Sequence, residues 1–132
     1  MMPQSVTTML MFAGRAAQAL QHYVEVIPGA ELKDVQFFSA GEQGAEGSVK
    51  SSRLILQGHE LRAFDSPVRH EFGFTPAVSL FIDCVDRDEF ERCFQGLSKG
   101  GQTLMPPGNY GFSRWFGWCN DQFGVSWQVN LP

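Results

Sequence analysis

The sequence predicts an α+β fold of two tandem βαβββ modules. The signs are two amphipathic helix patterns, a strand pattern before each with shorter ones behind, and Gly- and Pro-rich turns dividing them. At 132 residues the chain is long enough for one domain of ordinary size, so the modules, at about 5–66 and 74–131, read as halves of a single domain 1–132. The halves share little sequence, and the repeat rests on the order of elements.

Residues 6–13 mix Val, Thr, Met and Phe and run into Ala13-Gly14, a strand entering a turn. Across residues 15–26, Ala16, Ala17, Leu20, Tyr23 and Val24, then Ile27, recur at three- and four-residue spacing, which predicts a helix stopped by Pro28-Gly29. Residues 32–38 alternate as a second strand, and Gly41 to Gly47 reads as a hairpin loop. Residues 49–56 and 61–65 form two more strands around the tight turn Gln57-Gly58-His59-Glu60. After a connector over 66–76, residues 77–84 form a strand. Asp86 and Glu89 make a capping box for a second helix whose Phe90, Cys93, Phe94 and Leu97 share one face. Gly100-Gly101 ends that helix, a short strand spans 103–105, and Pro106-Pro107-Gly108-Asn109 predicts a loop. Residues 112–119 and 125–130 close the chain as an antiparallel hairpin.

An apolar fraction of 43%, twelve of the residues Phe, and only 18% charge exclude a disordered chain. With 14 acidic against 10 basic side chains and no basic cluster, nucleic acid is not an expected partner. Cys84, Cys93 and Cys119 are odd in number and widely spaced, so neither a disulfide framework nor a zinc knot is expected; reduced thiols suit a cytoplasmic protein. The apolar run Met9-Leu10-Met11-Phe12 is too short for a signal core or for the ~20 residues of a membrane span.

Three segments carry a family likeness: Met11-Phe12-Ala13-Gly14 ahead of an Ala-rich helix reaching His22-Tyr23, the run from Phe74 to Phe81, and the tail Asp121-x-Phe123-Gly124-Val125-Ser126-Trp127-Gln128. With these the chain resembles, end to end, the PhnB-like branch of the vicinal oxygen chelate superfamily, a branch that often bears the label "3-demethylubiquinone-9 3-methyltransferase domain". The resemblance implies a glyoxalase/bleomycin-resistance-like architecture, with mixed sheets cupped around a cavity, helices on the outer face, and frequent homodimers. Glyoxalases, extradiol dioxygenases and resistance proteins for fosfomycin or bleomycin share that frame, so fold does not decide chemistry. The methyltransferase label finds no support in the residues, which lack the Gly-rich strand-to-helix turn of a doubly wound nucleotide-binding sheet.

In metal-using relatives each module contributes one ligand from its first strand and one from its last, usually His, Glu or Gln. The matching positions here are Thr7 and Ala77 on the first strands, and Arg62 or a neighbour and Gln128 on the last. Ala offers no donor and Arg brings a positive charge, so no metal site and no cofactor are expected; a divalent metal is disfavoured. Gln128 reads instead as a hydrogen-bonding group on the cavity wall.

Strand alternation places Ser126 and Asn130 with Gln128, Arg62 with Phe64, and makes Met9, Met11, Ser79 and Phe81 candidates from the first strands. Such walls, apolar with a few polar anchors and one cation, suit a small molecule. Trp127 faces the opposite way, into the core. His22, His59 and His70 share no strand or spacing and read as surface or capping residues, and Asp86 among Asp83, Asp86 and Asp88 as a helix cap. Cys119 has no cationic neighbour in sequence that would activate it. The first reading is a cytoplasmic homodimer that binds a small apolar, aromatic or anionic compound without an intact metal site, sequestering or sensing it. The second is a glyoxalase-like lyase, isomerase or transferase, metal-dependent or not. A third is an interaction module whose cup is filled by its own side chains.

Overall fold

The computed structural model describes residues 1–132 and divides into two units, Met1–Glu71 and Phe72–Pro132. The first contains β1 (Thr8–Phe12), α1 (Ala16–Val26), β2 (Glu31–Phe37), β3 (Val49–Leu56) and β4 (His59–Asp65). The second contains β5 (Ser79–Asp83), α2 (Arg87–Ser98), β6 (Gln102–Gly108), β7 (Trp115–Asn120) and β8 (Ser126–Leu131). Each unit is thus one βαβββ module. Its sheet runs β1-β4-β3-β2 or β5-β8-β7-β6, with the first strand parallel to the last and the other neighbours antiparallel.

One face of each sheet is covered by that module's helix. In the first, α1 packs on β2, β3 and β4 and buries Ala16, Ala19, Leu20, Tyr23 and Ile27 over Leu10, Phe12, Leu54, Leu61 and Ala63. Ala19, not the expected Ala17, completes the stripe, because a turn of 3.6 residues puts position 19 between 16 and 23 and swings position 17 to solvent. In the second, α2 lies on β7 and β8 and buries the expected Phe90, Cys93, Phe94 and Leu97. Contact is closest at Gly117, where an added Cβ would lie 2.6 Å from the Phe94 ring. Trp127 is fully buried on this side, as alternation predicted.

The helix starts differ in chemistry. Asp86 accepts from the Glu89 amide at 2.9 Å, while the Glu89 carboxylate reaches back to the Val85 amide at 3.1 Å, a capping box shifted by one residue. The α1 cap position is Arg15, which offers no acceptor. Its place is taken by Asp65 at the end of β4, whose Oδ1 accepts from the amides of Gly14 at 2.8 Å and Ala16 at 3.0 Å, while Oδ2 accepts from Val49 at 2.9 Å.

Strand limits depart from expectation in several places; β7 begins at Trp115, which leaves residues 112–114 outside the strand expected to hold them. The Gln57-Gly58 turn has only two residues, both with positive φ (47° and 79°), so His59 and Glu60 already belong to β4. Pro106 and Pro107 lie within β6, not in a loop; β6 is an edge strand, and its pairing with β7 is irregular between Met105 and Gly108, where the missing N–H groups fall.

Candidate functional site

The face of each sheet away from its helix gathers the candidate residues in register. In the first module Met9 stands beside Arg62 and Met11 beside Phe64 across the parallel β1/β4 pair. In the second, Ser79 stands beside Ser126 and Phe81 beside Gln128 across β5/β8. All eight lie on helix-free faces, four in each module. Thr7 and Ala77 fall just outside the first strands that were expected to carry them.

The first module's face is charged but internally balanced. Arg53 and Arg62 are directly opposite across β3/β4, an arrangement that repels unless bridged. Glu60 bridges them, its Oε1 accepting from Arg53 Nε at 2.9 Å and its Oε2 from Arg62 Nε at 2.9 Å. Asp34, at a bulge with φ of 54°, turns its carboxylate to Arg53 at 2.8 Å. Arg53, then Arg62, hold the Glu60 carboxyl below the usual carboxylate range, and Asp34, then Glu60, raise the Arg53 guanidinium above its ordinary value. Arg62 is therefore committed through Nε, a partner that its spacing in the sequence did not show.

The second module's face is aromatic, with Asp83 its charged group on β5 and Arg114 at the edge of the ring cluster bonded to the Pro132 oxygen. Ser126 is its polar centre, with Ser79 Oγ at 2.7 Å and Trp118 Nε1 donating to it at 2.8 Å. Asn130 Nδ2 donates to Asp83 at 2.9 Å. Phe116 is enclosed by Phe112 at 4.9 Å between ring centroids, Tyr110 at 6.1 Å and Phe81 at 6.3 Å. Gln128 lies between Phe81 and Trp118 in register, half-buried, and its amide makes no hydrogen bond. The buried Oδ1 atoms of Asn120 and Asn130 also lack donors. Tyr110, Phe112, Phe116 and Trp118 were not placed on this face from sequence; the alternation of β7 relative to Gln128 was the signal for the last two.

The thiols and imidazoles lie elsewhere. Cys84, Cys93 and Cys119 are unpaired and buried, and burial, with Asp121 adding to it, pushes the Cys119 thiol up to about 12. Its hydrogen bond to Cys93, then burial, raise the Cys84 thiol. His59 and His70 contact hydroxyls of Thr8 and Ser66 at 3.5 and 3.0 Å, and His22 meets the Tyr23 ring. Asp121 is buried at the β7–β8 turn, accepting from the amides of Phe123 and Val125 and from Trp127 Nε1 at 2.8 Å.

The positions that correspond to metal ligands do not suit a metal. Ala77 has no donor, Thr7 and Gln128 supply neutral oxygens, and Arg62 is a cation already bonded to Glu60. No group of three or more His, Cys, Asp or Glu is gathered that could hold an ion.

A family model described as 3-demethylubiquinone-9 3-methyltransferase matches residues 4–130. A solved structure from Bacillus cereus, described as a putative 3-demethylubiquinone-9 3-methyltransferase, PhnB protein, is 40% identical over 98% of this chain and 100% of that one, with a TM-score of 0.93. Protein YjdN of Escherichia coli (strain K12) is 24% identical over 92% of this chain and 91% of that protein. The fosfomycin resistance protein FosX from Listeria monocytogenes, solved with Mn(II) and a dihydroxypropylphosphonic acid, covers 99% of this chain and 94% of its own at 11% identity and a TM-score of 0.64, a likeness of fold alone. The fold is glyoxalase/bleomycin-resistance-like.

Proposed function

Since the chain belongs to the family described as 3-demethylubiquinone-9 3-methyltransferase, the PhnB-like branch of the vicinal oxygen chelate superfamily, we propose that it is a small-molecule-binding protein of that fold which sequesters or senses its ligand without a protein-held metal. The observation that carries this reading is the unengaged Gln128 amide, set among partly exposed aromatic rings on a helix-free sheet face. A few polar groups among apolar walls orient a ligand, while the walls supply the area. The family description names methyl transfer, but the residues do not suit an S-adenosylmethionine site of the doubly wound kind. Each sheet has only one parallel pair, and the amides of the β1–α1 turn are occupied by Asp65.

A cytoplasmic homodimer belongs to the same reading. Three reduced, buried cysteines suit a reducing compartment, and no helix is long and apolar enough to cross a membrane. Exposed Val68 and Phe72 are side chains a second copy would cover.

The test is a thermal-shift screen of metabolites and antibiotics, with and without divalent ions, because a ligand of the native state raises the melting temperature by mass action. Metal-independent shifts that Gln128→Ala weakens are expected. Shifts that require zinc, nickel, manganese or iron would replace this reading with a glyoxalase-like enzyme.

A further inference from the structure

We infer that the helix-free face of the second module binds a planar, uncharged aromatic compound carrying an N–H or O–H donor, with the Gln128 amide as its polar contact. The inference rests on the small-molecule reading and names the ligand class and the face.

Phe81 is 54% exposed, Phe112 62% and Tyr110 42%, yet all three rings touch Phe116, so they form one apolar surface rather than scattered exposed residues. Planar rings stack on such a surface edge-to-face or offset. Asn130 is 8% exposed, and its Oδ1 is buried without a donor. Its Nδ2 is committed to Asp83 on β5, and its Cα partner on the other side is Phe116 of β7, so the unpaired oxygen is on the side of the aromatic cluster. Asn120 Oδ1 is a second buried acceptor, on the Cα partner of Ser126. Both oxygens are enclosed, so the half-buried Gln128 amide, which can both donate and accept, is the polar group that a ligand on this face meets.

Charge narrows the class further. Ser79, Ser126 and Trp118 satisfy one another, Asp83 is the ionised group that Asn130 engages, and the neighbouring Arg114 has its Nε bonded to the Pro132 oxygen. Anions are disfavoured by Asp83.

The experiment compares 2-naphthamide with 2-naphthoate, nearly the same shape but differing by one negative charge, by 15N NMR of the full chain. Naphthamide should shift the Trp118 indole N–H, which lies on the face, and leave that of Trp127, which is buried on the other side and held by Asp121. Phe81→Ala with Phe112→Ala should weaken binding about tenfold, the loss expected for two stacked rings. Gln128→Glu, which keeps the shape and adds charge, should reduce it as well. Tighter binding of naphthoate, or absence of a naphthamide shift at Trp118, would overturn the inference. If naphthoate moves resonances around Arg62 instead, the small-molecule reading stands and this face is wrong. A concentration-dependent Trp118 shift without any ligand, matched by dimer in sedimentation, would also overturn it, since the face would then be covered by a second copy.

Discussion

Replacing Asp65 tests how a helix without its own cap is held. The carboxylate is 2% exposed and accepts three backbone amides, those of Gly14, Ala16 and Val49. Ala16 and Val49 are both fully buried, so Asp65→Ala leaves two donors without water, whereas exposed Gly14 rehydrates. At ~1–3 kcal/mol per stranded buried donor, the loss for two is about 4 kcal/mol, the middle of that range. Asp65→Asn keeps an acceptor for Gly14 and Ala16 but points an NH2 at the Val49 amide, so about 2 kcal/mol is expected. Over 132 residues an unfolding entropy of about 2.1 cal/mol/K per residue converts 4 kcal/mol to a fall of about 15 °C in melting temperature. Urea unfolding followed by circular dichroism measures both variants. A loss below about 1 kcal/mol for Asp65→Ala, or a greater loss for Asn than for Ala, would refute the reasoning, because the amides would then have other partners.

Two further outcomes follow from the charges and thiols. Glu60→Gln removes the bridging charge between Arg53 and Arg62, so the variant is expected to bind 2-naphthoate more tightly than the natural chain, read by titration calorimetry; unchanged affinity would mean that Glu60 does not neutralise this face. The Cys119 thiol is raised in the folded state to about 12, so its contribution to stability is complete below the unfolded thiol value of about 8.5 and is lost as pH climbs from there toward the folded value. Urea midpoints should decline through that alkaline window, and native protein near neutrality should react with an aromatic disulfide reagent only at the rate of unfolding. Immediate modification of Cys119 would contradict its burial.

The fold was legible where periodicity and turn chemistry agree. The α2 stripe, the Asp86 cap, a hairpin turn at Gln57-Gly58, two residues long where four were expected, and the opposite facing of Trp127 and Gln128 follow from local spacing. Local spacing also placed the eight candidate residues on their strands. What it did not show depends on partners remote in the chain. Asp65 reaches an amide 51 positions away, and its role as a helix cap is written nowhere near the helix. Arg62 reads as an available cation until Glu60, two residues off on the same face, is seen to take its Nε. Phe112 reads in sequence as the start of a strand but lies, with Tyr110, in the irregular stretch before β7, so their convergence on Phe116 is a product of tertiary packing.

The two modules share a topology but distribute polar groups differently, and the difference locates the chemistry. In the first, the polar end of the last strand, Asp65, faces the helix and holds it in place, while the charges on the opposite face neutralise one another. In the second, helix capping falls to Asp86 and turn closure to Asp121, both off the open face of β8. Ser126, Gln128 and Asn130 are thereby released from those structural tasks and all turn away from the helix, toward Phe81, Phe116 and Trp118. Ser126 is saturated by its neighbours, but Gln128 and the Asn130 oxygen are not. A buried acceptor left unpaired costs ~1–3 kcal/mol, and folding of the sheet does nothing to offset it. The Gln128 amide, half-buried and unbonded on the same strand, is the group open to a molecule from outside the chain, which is why the proposed site is placed on β8 of the second module.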